Sequence, residues 1–276
     1  ARLLGVLALP GLLLGCGDRR EYAIQFAAQV RGEPLRCDRR YEGVGAPGTT
    51  IELLDFKLYA YDFRLIRDGG EVYPLAMSEE EPWQRKGIAL LDFEDGTGTC
   101  NTGSPEVRTE VIGEAPVFGD YTGVEFKIGV PGKQNHMNVE WVEPPLDVPS
   151  MWWSWKNGYK FVRLDVRTGG NRPYVFHAGA EDCEGTPDLG IVCSAKNLGR
   201  IFLTDFDPDQ NRVVFDVGAL LAHTDFASAG DGLTDLVAGC LSSTEDPECA
   251  PLLAQVGIGA DVSVPRGGLE SFIRAE

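Results

Sequence analysis

Residues 126 to 166 read FKIGVPGKQNHMNVEWVEPPLDVPSMWWSWKNGYKFVRLDV. Two strand-like runs meet here across Lys156-Asn157-Gly158, a turn-forming triplet. After the turn, Tyr159 to Val166 alternates in strand period and puts Val162, Leu164 and Val166 on one buried row. Before it, Met151 to Trp155 reads as strand, with Met151, Trp153 and Trp155 on one face and Trp152 on the other. Further upstream, Val124 to Val130 is a strand that reverses at Val130-Pro131-Gly132 and leads into Asn135-His136-Met137. The stretch thus predicts antiparallel sheet, with a loop that carries His136 towards an aromatic wall. It also concentrates scarce residues, holding four of the five tryptophans and two of the three methionines. Clustered tryptophan reads first as core, because each ring buries a large apolar area.

Strand patterns continue on both sides. Ile51 to Leu65, IELLDFKLYAYDFRL, places Leu53, Asp55, Lys57, Tyr59 and Tyr61 on one face and Leu54, Phe56, Leu58 and Ala60 on the other. Asp68-Gly69-Gly70 turns it, and Glu71 to Ala76 returns as a hairpin partner. Glu21 to Val30, Ile88 to Phe93, Tyr121 to Val130, Ile201 to Thr204 and Arg212 to Val217 read as further strands. Helical pattern is confined to short pieces at Val217 to Ala222 and Leu233 to Ala238. No Pro-rich or Ser-rich linker and no internal repeat divides the 276 residues. The fold class that follows is mainly β, a single β-sandwich or jelly-roll-like domain with disulfides and little helix.

Residues 1 to 15, ARLLGVLALPGLLLG, carry one charge and a short apolar run, and Leu13-Leu14-Gly15-Cys16 fits a lipobox. A bilayer span needs about 20 apolar residues, so residues 1 to 15 are expected to be a lipoprotein signal peptide. The domain then occupies 16–276, with Cys16 lipidated and membrane attachment only through that anchor. Of seven cysteines, six remain for an oxidising compartment, the periplasm or cell envelope. Six allow fifteen connectivities. Short separations favour Cys183–Cys193 and Cys240–Cys249, which leaves Cys37–Cys100. No CxxC or CxxCH occurs.

The formal charge is -17, or -18 once the signal and its Arg2 are removed. So acidic a surface argues against nucleic acid, whose phosphates call for Lys and Arg. Asp205 to Asn211 superficially suggests a calcium loop, but Pro208 interrupts it and the Gly and closing Glu are missing. It reads better as a turn between strands. Asp92, Glu94 and Asp95 are clustered acids, yet nothing resembles a nucleophile elbow or a metalloprotease helix. The chain therefore reads as no enzyme.

The run Gly129-Val130-Pro131, Asn135-His136, Pro145-Leu146 and Met151-x-Trp153-Ser154-Trp155-x-x-Gly158-Tyr159-Lys160-Phe161 resembles the MbnP-like family of periplasmic copper-binding proteins, also called metallo-mystery pair four-Cys-motif proteins. The resemblance runs from about Phe26 to about Gly257. It implies copper as cofactor and a MauG-type di-haem peroxidase as partner, which oxidises a tryptophan to kynurenine. Unmodified indole is a poor metal ligand, since its N–H only donates. Opening the ring supplies a ketone and an aryl amine. Trp153 and Trp155 match the motif and Trp152 falls at a free position, and the choice between Trp153 and Trp155 stays open. His136 and His177 are the expected nitrogen ligands, imidazole being suited to copper. Met151 and Met137 offer sulfur, with packing as the competing role. His223 ranks third and reads as a surface or capping residue. A second reading is an envelope β-sandwich that binds carbohydrate or another ligand on the tryptophans as a stacking platform. Exposed tryptophans with no histidine neighbour would favour that second reading.

Overall fold

A computed structural model describes residues 18–117, 120–169, 172–226, 238–243, 245–259 and 271–276. The expected signal segment, Cys16 and most of the expected helix at Leu233 to Ala238 lie outside these residues. In chain order the main strands are β1 (Arg19–Val30), β2 (Thr49–Arg67), β3 (Ile88–Asp92), β4 (Glu110–Pro116), β5 (Tyr121–Ile128), β6 (Trp152–Ser154), β7 (Gly158–Thr168), β8 (Arg172–Gly179), β9 (Glu181–Thr186), β10 (Gly190–Ala195), β11 (Gly199–Thr204), β12 (Arg212–Asp216), β13 (Ala238–Cys240) and β14 (Ile273–Ala275). The helices are short: α1 (Val217–Leu220) and α2 (Cys249–Gln255).

Two sheets face each other, as a β-sandwich requires. The smaller runs β14, β12, β1, β4, with β1 and β12 parallel and in register from Gln25 opposite Arg212 to Gln29 opposite Asp216. The larger is built on β2, which pairs with β7, β5 and β3. Alternation decides what lies between the sheets. Phe56 and Phe63 of β2 and Phe126 of β5 meet Phe26 of β1, Phe215 of β12 and Phe272. Phe26 stacks on Phe215 at 5.9 Å between ring centroids, and Phe63 stacks on Phe126 at 5.1 Å. All six rings are buried.

The other face of β2 is covered as well. The segment between β5 and β6 crosses it, and Tyr59 donates from its hydroxyl to Pro145 O at 2.9 Å while its ring meets Tyr159 edge-on. Beneath this cover the register lines up charged side chains. Lys57 lies opposite Asp92 of β3 and Arg163 of β7, Asp55 opposite Asp165, and Arg163 opposite His177 of β8. The three disulfides are Cys37–Cys100, Cys183–Cys193 and Cys240–Cys249, as the spacing predicts.

Two local expectations are corrected. Glu71 to Ala76 is not one hairpin arm: Val72–Pro74 pairs with β2, whereas Ala76–Met77 pairs with β4 in the other sheet. Met151 to Trp155 is not one strand. Pro149 starts a 3-10 turn, Pro149–Met151, only Trp152 to Ser154 is extended, and Trp155 already belongs to the turn. The Asp205 to Asn211 segment is a turn, with the Asp207 carboxylate accepting from Asp209 N and Gln210 Nε2.

Candidate metal centre

The His136 side of the site begins at Gly132–His136, a 3-10 helix directly after Pro131. Asn135 fixes it. Its carboxamide is buried and accepts from Tyr159 N at 2.9 Å. Gly158, at φ +77°, makes the room, because a Cβ there would come within 2.5 Å of the Asn135 amide. So anchored, His136 places Nδ1 3.1 Å from Trp155 O. Nδ1–H donates to that carbonyl, which leaves Nε2 as the nitrogen with a lone pair. Nε2 faces Cys193 Sγ and Asn135 Nδ2, each at 3.4 Å.

His177 is held from the opposite direction. It lies within β8 and is 9% exposed. Its Nε2 lies 2.6 Å from Asp165 Oδ1. Arg163 donates twice to the other oxygen of Asp165, from Nε at 2.9 Å and from its Nη2 at 2.7 Å. Burial pulls the His177 imidazolium below the ordinary histidine value, against the raising effect of Asp165. Burial alone would lift Asp165, but the His177 hydrogen bond and the Arg163 charge hold it below the usual carboxylate range. The pair is therefore a neutral imidazole donating through Nε2 to a carboxylate.

Between the two histidines runs the tryptophan segment. The Trp153 ring centroid lies 6.4 Å from that of His177. Its edge rests on Gly179, where a Cβ would come within 2.4 Å of the ring. Trp155 is 40% exposed and gives its carbonyl to His136. Each histidine is thus paired with a different tryptophan of the motif. Trp152 packs against the core with its indole N–H buried and without an acceptor. Met151 is 0% exposed and belongs to the core, whereas Met137 is exposed beside the cleft described next. His223 sits exposed in the turn after α1.

A cleft of about 870 Å³ opens at His136. Met137, Leu189, Val192, Lys133 and Lys196 also line it, while His177 and Trp153 do not. His136 falls within 4.8 Å of Cys183 and Cys193 Sγ, and Glu94 within the same reach of Cys37 and Cys100. These sulfurs are joined in disulfides and are not thiolates, the form that binds metals.

Sequence reading did not find Asp165, Arg163 or the anchoring role of Asn135. The available clue was Arg163-Leu164-Asp165 in the middle of a hydrophobic strand, where two charges two residues apart share a face and need partners.

The MbnP family model matches residues 19–241. The chain belongs to the MbnP family. The solved structure of MbnP from Methylosinus trichosporium superposes on it with a TM-score of 0.78 and 26% identity, over 94% of this chain and 99% of the other. No curated protein matches the sequence. The MbnP match spans both histidines and the whole tryptophan segment, so the paired geometry lies inside the region the family defines.

Proposed function

We propose that this MbnP-family chain is an exported copper-binding protein, and that its site is completed when Trp153 or Trp155 is oxidised to kynurenine by a MauG-type di-haem peroxidase. In this reading the chain is the substrate of that enzyme and performs no turnover of its own. It works in the periplasm or cell envelope, attached through a lipid on Cys16.

The observation that carries the reading is the way the two histidines are prepared. Each gives one ring nitrogen to a fixed acceptor, Asp165 for His177 and Trp155 O for His136. Metal-binding histidines are typically held in this way, since the outer hydrogen bond sets the tautomer and strengthens the free nitrogen as a donor. Imidazole suits copper in either oxidation state. In this reading His136 and His177 are the nitrogen ligands, and the modified tryptophan adds oxygen or nitrogen. Bound there, copper would bring one-electron chemistry. What the chain supplies is orientation and imidazole donors. Trp155 is the more exposed of the two candidates, and so the more open to electron transfer to a docked haem.

Exposed tryptophans without histidine neighbours would have favoured the stacking-platform reading. Trp153 lies against His177 and Trp155 holds His136, which favours copper.

The test is an intact mass of the mature protein made with and without the peroxidase, followed by peptide mapping of residues 151 to 160 and copper analysis. The expected result is a gain of about 4 Da on one tryptophan, dependent on the peroxidase and accompanied by stoichiometric copper. An unchanged mass without copper uptake would return the segment to a packed aromatic cluster.

A further inference from the structure

The function above gives no task to Lys57. This lysine sits in the middle of β2, 4% exposed, and its Nζ faces three carboxylates. Asp55 lies at 3.1 Å, Asp92 at 3.2 Å, and Glu94 accepts directly from it. Asp92 and Glu94 are 1% and 0% exposed. Burying one amine with three acids is costly, because each charge gives up its hydration. The surroundings are nonetheless built to hold it. Gly96 N and Ser104 N donate to the two oxygens of Glu94 at 2.8 and 2.7 Å, and Ser104 Oγ donates to Asp92 at 2.8 Å. Gly103 leaves the space for Glu94, since a Cβ there would fall 1.9 Å from Oε2.

The three acids are not equivalent. Asp55 is matched by Arg163, whose Nη1 lies 2.9 Å away. Glu94 is held by two backbone amides. Asp92 is the direct register partner of Lys57 on the neighbouring strand. Burial pushes the Asp92 carboxyl up to about 6, so near neutrality a fraction is the uncharged acid, the form that can be attacked. Lys57 is pulled down by burial but raised overall by its acidic neighbours, so it begins as the ammonium.

We propose that Lys57 and Asp92 become joined by an intramolecular isopeptide bond, with Glu94 as the proton carrier. Lys57 hands one proton to Glu94, which removes both charges from a dry site. The free amine of Lys57 attacks Asp92 Cγ, forming the C–N bond. The second amine proton passes through Glu94 to the Asp92 hydroxyl, the C–O bond breaks and water leaves. One ammonium, one carboxylic acid and one carboxylate become one amide, one water and one carboxylic acid, so the step needs no oxidant or further reactant. The product ties β2 to β3 under the loop that the Cys37–Cys100 disulfide already fastens.

The experiment is an intact mass of the purified full chain with its disulfides formed, followed by tryptic mapping. The expected mass is lower than the sequence requires, beyond the hydrogens lost to disulfides, by one water. Trypsin should leave Lys57 uncut and yield one branched peptide that contains Lys57 and Asp92. Glu94→Gln keeps the side-chain shape but removes the proton carrier, and it should restore the full mass, as should Asp92→Ala. Circular dichroism establishes that these variants fold, and if neither does, the wild-type mass decides alone. A wild-type chain at full mass and cleaved after Lys57 overturns the proposal. So does a branch that ends on Asp55 or Glu94.

Discussion

His177 Nε2 lies 2.6 Å from Asp165 Oδ1, and Arg163 takes the other oxygen of the same carboxylate. One carboxylate therefore fixes both the tautomer and the ring plane of a buried imidazole. Asp165→Asn removes the charge while keeping the shape. Under the proposed copper-binding function, this change is expected to weaken copper binding by about 10- to 100-fold, measured by competition with a copper chelator. Unaltered affinity in a folded variant would show that Asp165 has no part in holding the site.

Gly179 faces the Trp153 ring and Tyr159 O, which a Cβ would meet at 2.4 and 2.8 Å. Gly179→Ala must push Trp153 aside or bend β8. The expected cost is about 1–3 kcal/mol, typical of overpacking, read from denaturant melts together with a shift in tryptophan emission. If Trp153 is the oxidised residue, the yield of modified peptide should fall as well.

The disulfides should differ in weight. Cys37–Cys100 closes a separation of 63 residues and Cys183–Cys193 one of 10. Loop-closure entropy predicts roughly 4 kcal/mol for the first and about 3 kcal/mol for the second. Paired Cys→Ser variants, compared by chemical unfolding, should show the larger loss for Cys37/Cys100.

Lys160 gives a pH signature. Burial, and then the Arg163 charge, bring it down to about 8, and its Nζ donates to Ser150 O at 2.6 Å. The unfolded chain keeps its lysine near the ordinary 10.5. Between these values the unfolded state binds more protons, so this group's contribution to stability rises with pH through the window and is lost as pH falls towards 8. Lys160→Met removes the titration. The variant is expected to melt above wild type at pH 7, with the gap narrowing between about pH 8 and pH 10. A gap constant with pH would refute this assignment.

Phe215 touches Phe26, Phe56, Phe93 and Phe272. Phe215→Ala should cost about 3–5 kcal/mol, as for other buried aromatic rings. Thermal or urea melts measure it.

Much of the fold was legible because alternation alone assigns faces. In Ile51 to Leu65 the sequence split Phe56 and Leu58 from Asp55 and Lys57, and the structure keeps that split. The depth of the charged face was not legible. Asp55 and Lys57 look like solvent-facing residues until partners from two other strands and the loop after β3 are known, and no local pattern carries that information. The disulfides could be read, since two short separations fixed the third pair. The tryptophan segment was misread in detail because Pro149 turns the chain just before it. That turn sends Met151 into the core and starts Trp152 on a new course. His136 and His177 could be singled out from the resemblance, but their acceptors lie 19 and 12 residues away in sequence.

The parallel pairing of β1 with β12 also sets an order in time. A ribosome produces β1 first, yet the neighbour on one of its edges begins at Arg212, and β14, which completes that neighbour, begins at Ile273. Phe26 can meet Phe63 and Phe126, and β1 can pair with β4, long before Phe215 and β12 exist. Contacts so distant along the chain make folding slow. The edge of β1 that β12 covers therefore stays open until β12 has been made.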